Sequence, residues 1–186
     1  MIRTFISIDI PSNIKEEIVH FQEETAGAGL PVRWIKSQNI HLTLKFIGEI
    51  PESLVNQVIK DIFEGPSLGK KFKITIGGTG VFPNIRRPRI FWVGITSGQD
   101  ETGKLANCLE ERLVHLNIPK EKRPFSPHLT IGRFRESYRI KNLENFISSE
   151  ILHAGSFTVD GVKLMKSVLK PSGAEYSELA VHSLTG

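Results

Sequence analysis

"IHLTLKFIGE" (residues 40–49) has an echo in "PHLTIGRFRE" (residues 127–136). Each copy contains His-Leu-Thr followed by an aliphatic residue. Side chains on a strand alternate between faces, so His41 and Thr43 share one side and Leu42 and Leu44 the other. The second copy divides the same way, with His128 and Thr130 set against Leu129 and Ile131. The aliphatic sides suit a core, which leaves an imidazole and a hydroxyl displayed from each strand. One His-x-Thr strand carries little information. Two copies with the same intervening leucine predict a common cleft lined by two histidines and two threonines, provided the halves face each other.

Around these motifs the chain reads as alternating strands and helices. "IRTFISID" is a strand, and Ser12 is the expected N-cap of a helix carrying Ile14, Ile18 and Phe21 at helical spacing. "AGAGLP" ends that helix, and "VRWI" is a short strand before the first motif. A second helix follows Pro51, with Leu54, Val58, Ile59 and Ile62 on one face. "KFKITIGG" and "RIFWVGIT" are strands separated by the loop "TGVFPNIRRP". "ETGKLANCLEERLVHL" is amphipathic through Leu105, Leu109, Leu113 and Leu116. After the second motif come a shorter helix, "KNLENFISSE", and three closely spaced strands, "GSFTVDGV", "KLMKSVLK" and "EYSELAVHSL". These leave no room for crossover helices, which points to mostly antiparallel sheets and an α+β fold.

The composition bounds the function without naming it. The 186 residues are 39% hydrophobic and 24% charged, as in an ordinary globular protein. A net charge of +4 suits a polyanionic ligand but also serves solubility. One cysteine, Cys108, excludes an internal disulfide, argues for a reducing compartment, and reads as a buried thiol in its helix. No apolar run spans a bilayer and no signal peptide opens the chain, so a cytoplasmic protein without membrane association is expected.

Two imidazoles without an evident nucleophile suit proton transfer. Near neutral pH one ring can be neutral while the other is protonated, supplying a general base and a general acid together. Threonine hydroxyls can hold anionic oxygens. Hydrolysis of a phosphodiester needs this set. A zinc site is the rival, but no HxxxH, HxE or CxxC accompanies the pair. "GGTGVF" lacks the Gly-Lys-Ser/Thr of a phosphate loop, and no Gly-x-Ser-x-Gly elbow is present. His20, His115, His153 and His182 have no matching neighbours and read as structural.

With the flanks "RTFISIDIP", "VRWIKSQNIHLTLKFIGE", "GVFPN", "RPRIFWVGI", "FSPHLTIGRF" and "LMKSVLKPSGAEYSEL", the sequence resembles the 2H phosphoesterase superfamily. Within it the chain is similar to the RNA 2′,3′-cyclic phosphodiesterases, also called 2′-5′ RNA ligases. The resemblance implies one bilobal domain over residues 1–186, pseudo-twofold, with two mostly antiparallel sheets facing a central cleft and helices outside. It implies metal-independent opening of a terminal 2′,3′-cyclic phosphate on RNA, tRNA fragments included, to a 2′-phosphomonoester. No cofactor and no protein partner is implied, and a monomer is expected. By family assignment His41 donates a proton to the departing 3′-oxygen, His128 accepts one from water, and Thr43 and Thr130 hold the phosphate.

The family also has a phosphate-contacting arginine five residues past the second histidine, here Arg133. Strict alternation puts Arg133 with Leu129 and Ile131, so a bulge or strand end at Gly132 has to turn it into the cleft. Lys45 shares parity with His41 and Thr43 and is a further candidate. Phe5, Trp34, Phe82 and Tyr176 are candidates for stacking bases, and Arg86 to Arg89 for holding an RNA tail. Ligation of cyclic-phosphate ends, opening of a small cyclic nucleotide, and RNA-end binding without catalysis are the alternatives.

Overall fold

The computed structural model describes residues 1–27, 29–135, 140, 143–149, 152–171 and 173–186. The strands are β1 (Ile2–Ile8), β2 (Val32–Trp34), β3 (Leu42–Ile50), β4 (Phe72–Phe82), β5 (Ile90–Ser97), β6 (His128–Phe134), β7 (His153–Val159), β8 (Gly161–Lys170) and β9 (Gly173–Ser183). The helices are α1 (Ser12–Ala26), α2 (Glu52–Val58, continued by a π-helical turn over Ile59–Phe63), α3 (Gln99–Val114) and α4 (Leu143–Ser149). Among these described residues no helix is long and apolar enough to cross a membrane.

All strand pairs are antiparallel, and the strands run in the order β7-β4-β5-β6-β3-β1-β8-β9, with β2 also on β6. The expected two sheets are therefore β7-β4-β5-β6 and β3-β1-β8-β9, continuous with each other through one registered pair, Leu42 opposite Leu129. A pseudo-twofold relation through that pair exchanges β3 with β6, β1 with β5, β8 with β4 and β9 with β7. The two halves of the chain also trade strands. β4, from the first half, pairs with β5, and β8, from the second, pairs with β1.

Helix α1 buries Ile14, Ile18 and Phe21, and α3 buries Leu105, Leu109 and Leu113, as their spacing predicts. These residues join Ile6, Leu42, Phe91, Leu129 and Ile131 in one core. The face of α2 differs from expectation. Val55, Val58, Ile62 and Phe63 are buried, whereas Leu54 and Ile59 only pack against the core margin. The π-helical turn inserts a residue and rotates the apolar stripe.

Three further expectations need correction. Ser12 is not the N-cap of α1. Pro11 holds that position with ψ 150°, no side chain caps it, and Ser12 is already the first helical residue. The loop after β4 begins later than expected, because Thr79–Phe82 stay paired with β5 beyond an irregularity at Gly78, where φ is +70°. Cys108 is half-buried rather than buried.

Candidate active site

Residues directly opposite in an antiparallel ladder project to the same side. Leu42 and Leu129 face each other and are fully buried, so both point into the core. Alternation then sends His41, Thr43, His128 and Thr130 to the other side of the sheet, around a single point. All four are half-buried there. The repeat thus meets itself at its middle residue.

A second symmetry lies three residues past each histidine. In β3, Ser7 pairs with Thr43 but Ile6 pairs with Lys45, so Leu44 is an extra residue. In β6, Trp92 pairs with Thr130 but Phe91 pairs with Gly132, so Ile131 is extra. Each bulge inverts the alternation beyond it. For β6 this resolves the parity of Arg133. Its ladder neighbour Ile90 shares the face of Trp92 and Thr130, so exposed Arg133 stands on the histidine side. The Ile131 carbonyl accepts from Ile35 N at 2.9 Å and from buried Gln22 Nε2 at 2.8 Å.

For β3 the same inversion overturns Lys45 as a substrate contact. Lys45 is 2% exposed. It reaches through the core side to Glu110 Oε2 at 2.8 Å and the Pro119 carbonyl at 2.7 Å. Phe46 takes the position equivalent to Arg133 and is exposed.

The two imidazoles are held alike. His41 Nδ1 lies 2.8 Å from the Asn39 carbonyl, and His128 Nδ1 lies 2.7 Å from the Ser126 carbonyl. A carbonyl only accepts, so each Nδ1 carries the hydrogen and each Nε2 is left for a ligand. The Asn39 side chain also donates to the Ala174 carbonyl at 2.8 Å, tying the start of β9 to the turn that orients His41. Asn39 and Ser126 escaped the sequence reading because their contribution to the rings is a main-chain atom, which leaves no side-chain signature.

The walls differ. His41 stacks on Phe5 at 4.8 Å between centroids and meets the edge of Tyr176 at 5.2 Å. Burial draws its pKa below the ordinary imidazole value, with the Asn39 carbonyl opposing and Lys15 and Asp9 acting weakly in opposite senses. Burial also raises the Tyr176 phenol, against the pull of Arg133 and Arg3. Asp9, near His41, is bound by Lys15 and Lys163, both at 3.0 Å.

On the other side Phe82 stands edge-on to His128 at 4.9 Å and is backed by Trp92 at 5.3 Å. Phe5, Phe82 and Tyr176 therefore flank the histidines. Trp34 does not; it packs on core residue Phe91 at 5.6 Å. Arg86 and Arg87 lie in an exposed turn whose amides donate to Asn84 Oδ1. His182 is a structural histidine, bridging the Phe63 carbonyl and the Leu68 amide. Among the described residues no three His, Cys, Asp or Glu side chains converge as metal ligands would.

The model of the LigT-like phosphoesterase family matches twice in succession, over residues 8–92 and 93–176. The chain belongs to the LigT-like phosphoesterases. It is 35% identical over 176 residues to an RNA 2′,3′-cyclic phosphodiesterase of Methanocaldococcus jannaschii, covering 94% of this chain and 96% of that one. It is 31% identical over 192 residues to an RNA 2′,3′-cyclic phosphodiesterase of Aquifex aeolicus, covering 100% and 99%. Among solved structures, a Thermus thermophilus protein superposes with a TM-score of 0.83 at 26% identity, covering 99% and 98%.

Proposed function

We propose that this protein opens the 2′,3′-cyclic phosphate at the end of an RNA, leaving a 2′-phosphomonoester and a free 3′-hydroxyl. The observation that carries this is the gathering of His41, Thr43, His128 and Thr130 on one face around the Leu42–Leu129 pair. In such a ladder diagonal neighbours stand roughly 7–8 Å apart. That backbone spacing suits two side chains gripping one phosphate, and the Nδ1 contacts leave Nε2 of each ring for it.

The reaction uses these groups in line. His128 Nε2 takes a proton from water as the water oxygen bonds to phosphorus. The bond from phosphorus to the 3′-oxygen breaks, its electron pair leaves with that oxygen, and His41 Nε2 supplies the proton. Thr43 and Thr130, which make no side-chain hydrogen bond among the described residues, donate to the nonbridging oxygens. Arg133 adds a guanidinium for the charge that builds there. The anionic phosphate favours protonated His41 and so works against its burial.

The substrate class is RNA ends bearing cyclic phosphates, tRNA fragments among them. Every group assigned to the cleft comes from one chain, which is compatible with the proposed monomer. The exchange of β4 and β8 between the halves' sheets supports reading residues 1–186 as one domain.

The test is a short RNA ending in a 2′,3′-cyclic phosphate, incubated with protein stripped by chelator and resolved by chromatography. The expected product is the 2′-phosphate, and His41→Ala and His128→Ala each lower the rate by ~10²–10⁴-fold with the fold intact. Opening that depends on added zinc, or that survives either substitution, contradicts the proposal.

A further inference from the structure

A second guanidinium lies beside Arg133. β2 pairs with β6 so that Arg33 stands directly across from Arg133, with Val32 across from Phe134 and Trp34 across from Gly132. Val32 is buried and Trp34 packs on Phe91, so both turn toward the core. Alternation sends Arg33 the other way, onto the histidine face with Arg133, and both are exposed. Gly132 permits this close seating. A Cβ there would lie 2.4 Å from Val32 Cγ1.

Like charges directly opposite in a ladder are destabilising. Among the described residues neither arginine makes an ion pair or a side-chain hydrogen bond. From the other half of the sheet Arg3 is exposed on β1, in one ladder row with Ser167 and Tyr176. Glu49 lies across the ladder from Arg3 but forms no ion pair with it. Guanidiniums left without carboxylates suit an anion with several free oxygens, which their planar forks grip in pairs.

That anion is not the cyclic phosphate, which belongs between the histidines. Thr130 and Arg133 are matched on β5 by Trp92 and Ile90, two residues apart, hence about 7 Å along the strand. An RNA end has its next phosphate on the 5′ side of the same terminal nucleotide. We propose that Arg33 binds this 5′-phosphate, with Arg133 standing between it and the cyclic phosphate, so that the enzyme selects a nucleotide within a chain over a bare nucleoside 2′,3′-cyclic phosphate. The substrate named here rests on the proposed function; the anion subsite rests on the ladder alone.

Two arms separate them. In the first, calorimetry compares adenosine 2′-monophosphate with adenosine 2′,5′-bisphosphate on wild type, Arg33→Gln and Arg33→Lys. Wild type is expected to favour the bisphosphate by about tenfold, the low end for a charge-assisted bond. Arg33→Gln closes most of that gap and lowers the salt slope for the bisphosphate by about one, while Arg33→Lys keeps part of it. In the second arm, kcat/KM is compared for adenosine 2′,3′-cyclic phosphate with and without a 5′-phosphate, and the preference should fall in KM and shrink in Arg33→Gln. Equal affinities in wild type, or a gap that Arg33→Gln leaves intact, overturn the subsite. A gap closed by Arg33→Gln in a protein that turns over neither cyclic phosphate supports the subsite and removes the proposed reaction instead.

Discussion

Gly80 in β4 lies beneath Trp92, and substituting it with alanine tests whether the wall behind His128 positions that ring. An added Cβ would stand 2.2, 2.5 and 2.7 Å from three indole carbons. Ordinary contact begins near 3.4 Å, so the indole must move by at least 1.2 Å (3.4 − 2.2). Trp92 is poorly placed to absorb this. Its far edge already lies over Gly94, where a Cβ would stand 3.2 Å from Cζ3, and Phe82 is its neighbour at 5.3 Å. The displacement therefore passes to Phe82 and to the His128 edge contact. Overpacking of this kind costs about 1–3 kcal/mol. A misplacement near 1 Å at a proton-transfer group costs up to roughly 10²-fold, so a partly relaxed site should lose about tenfold in kcat/KM. Initial rates on cyclic-phosphate RNA, with urea unfolding to establish the folded fraction, read both effects. Gly103→Ala in α3, where a Cβ meets nothing within 4 Å, is the control and should keep full activity. Wild-type rates in folded Gly80→Ala would show that the Trp92–Phe82 wall does not position His128.

Lys45→Met takes the ammonium from Glu110 Oε2 and the Pro119 carbonyl, leaving the carboxylate only the Glu121 amide at 3.4 Å on its other oxygen, and should lower unfolding free energy by about 3 kcal/mol in urea while kcat stays at the wild-type value. Gln22→Leu removes the donor to the Ile35 and Ile131 carbonyls. It should cost about 1–3 kcal/mol and, by loosening the bulge that turns Arg133, raise KM several-fold. His41, whose folded pKa is depressed, gives a stability sign. Between the folded and unfolded values the unfolded chain binds the extra proton, so stability is present above the unfolded pKa near 6.5 and is lost as pH falls through the lower folded value. Thermal melts of wild type and His41→Gln at a series of pH values should therefore show wild type losing more stability on acidification, and parallel curves would contradict the burial of that ring.

Much of this site was legible because the repeat is written in side chains that alternate. His41, Thr43, His128 and Thr130 fall on the face their parity predicts, and the leucines beneath them pair in the core. Parity failed where the chain inserts a residue. At Arg133 the glycine before it announced the bulge. At Lys45 the same bulge occurs over Leu44 with no glycine to mark it, so a buried ammonium looked like a cleft residue. Arg33 was hidden for another reason. A three-residue strand has no period to read, and only its register on β6 puts it beside Arg133. Ser12 misled because Pro11, with its fixed φ, starts the helix one residue sooner than a capping hydroxyl would.

The most direct measurement follows both active-site imidazoles at once by histidine ring nitrogen NMR while adenosine 2′-monophosphate is added. Nε2 of His41 and Nε2 of His128 should shift together along one binding curve, with both Nδ1 atoms still protonated. If one ring responds alone, or the two follow curves of different affinity, they do not share a phosphate and the two-histidine account is wrong.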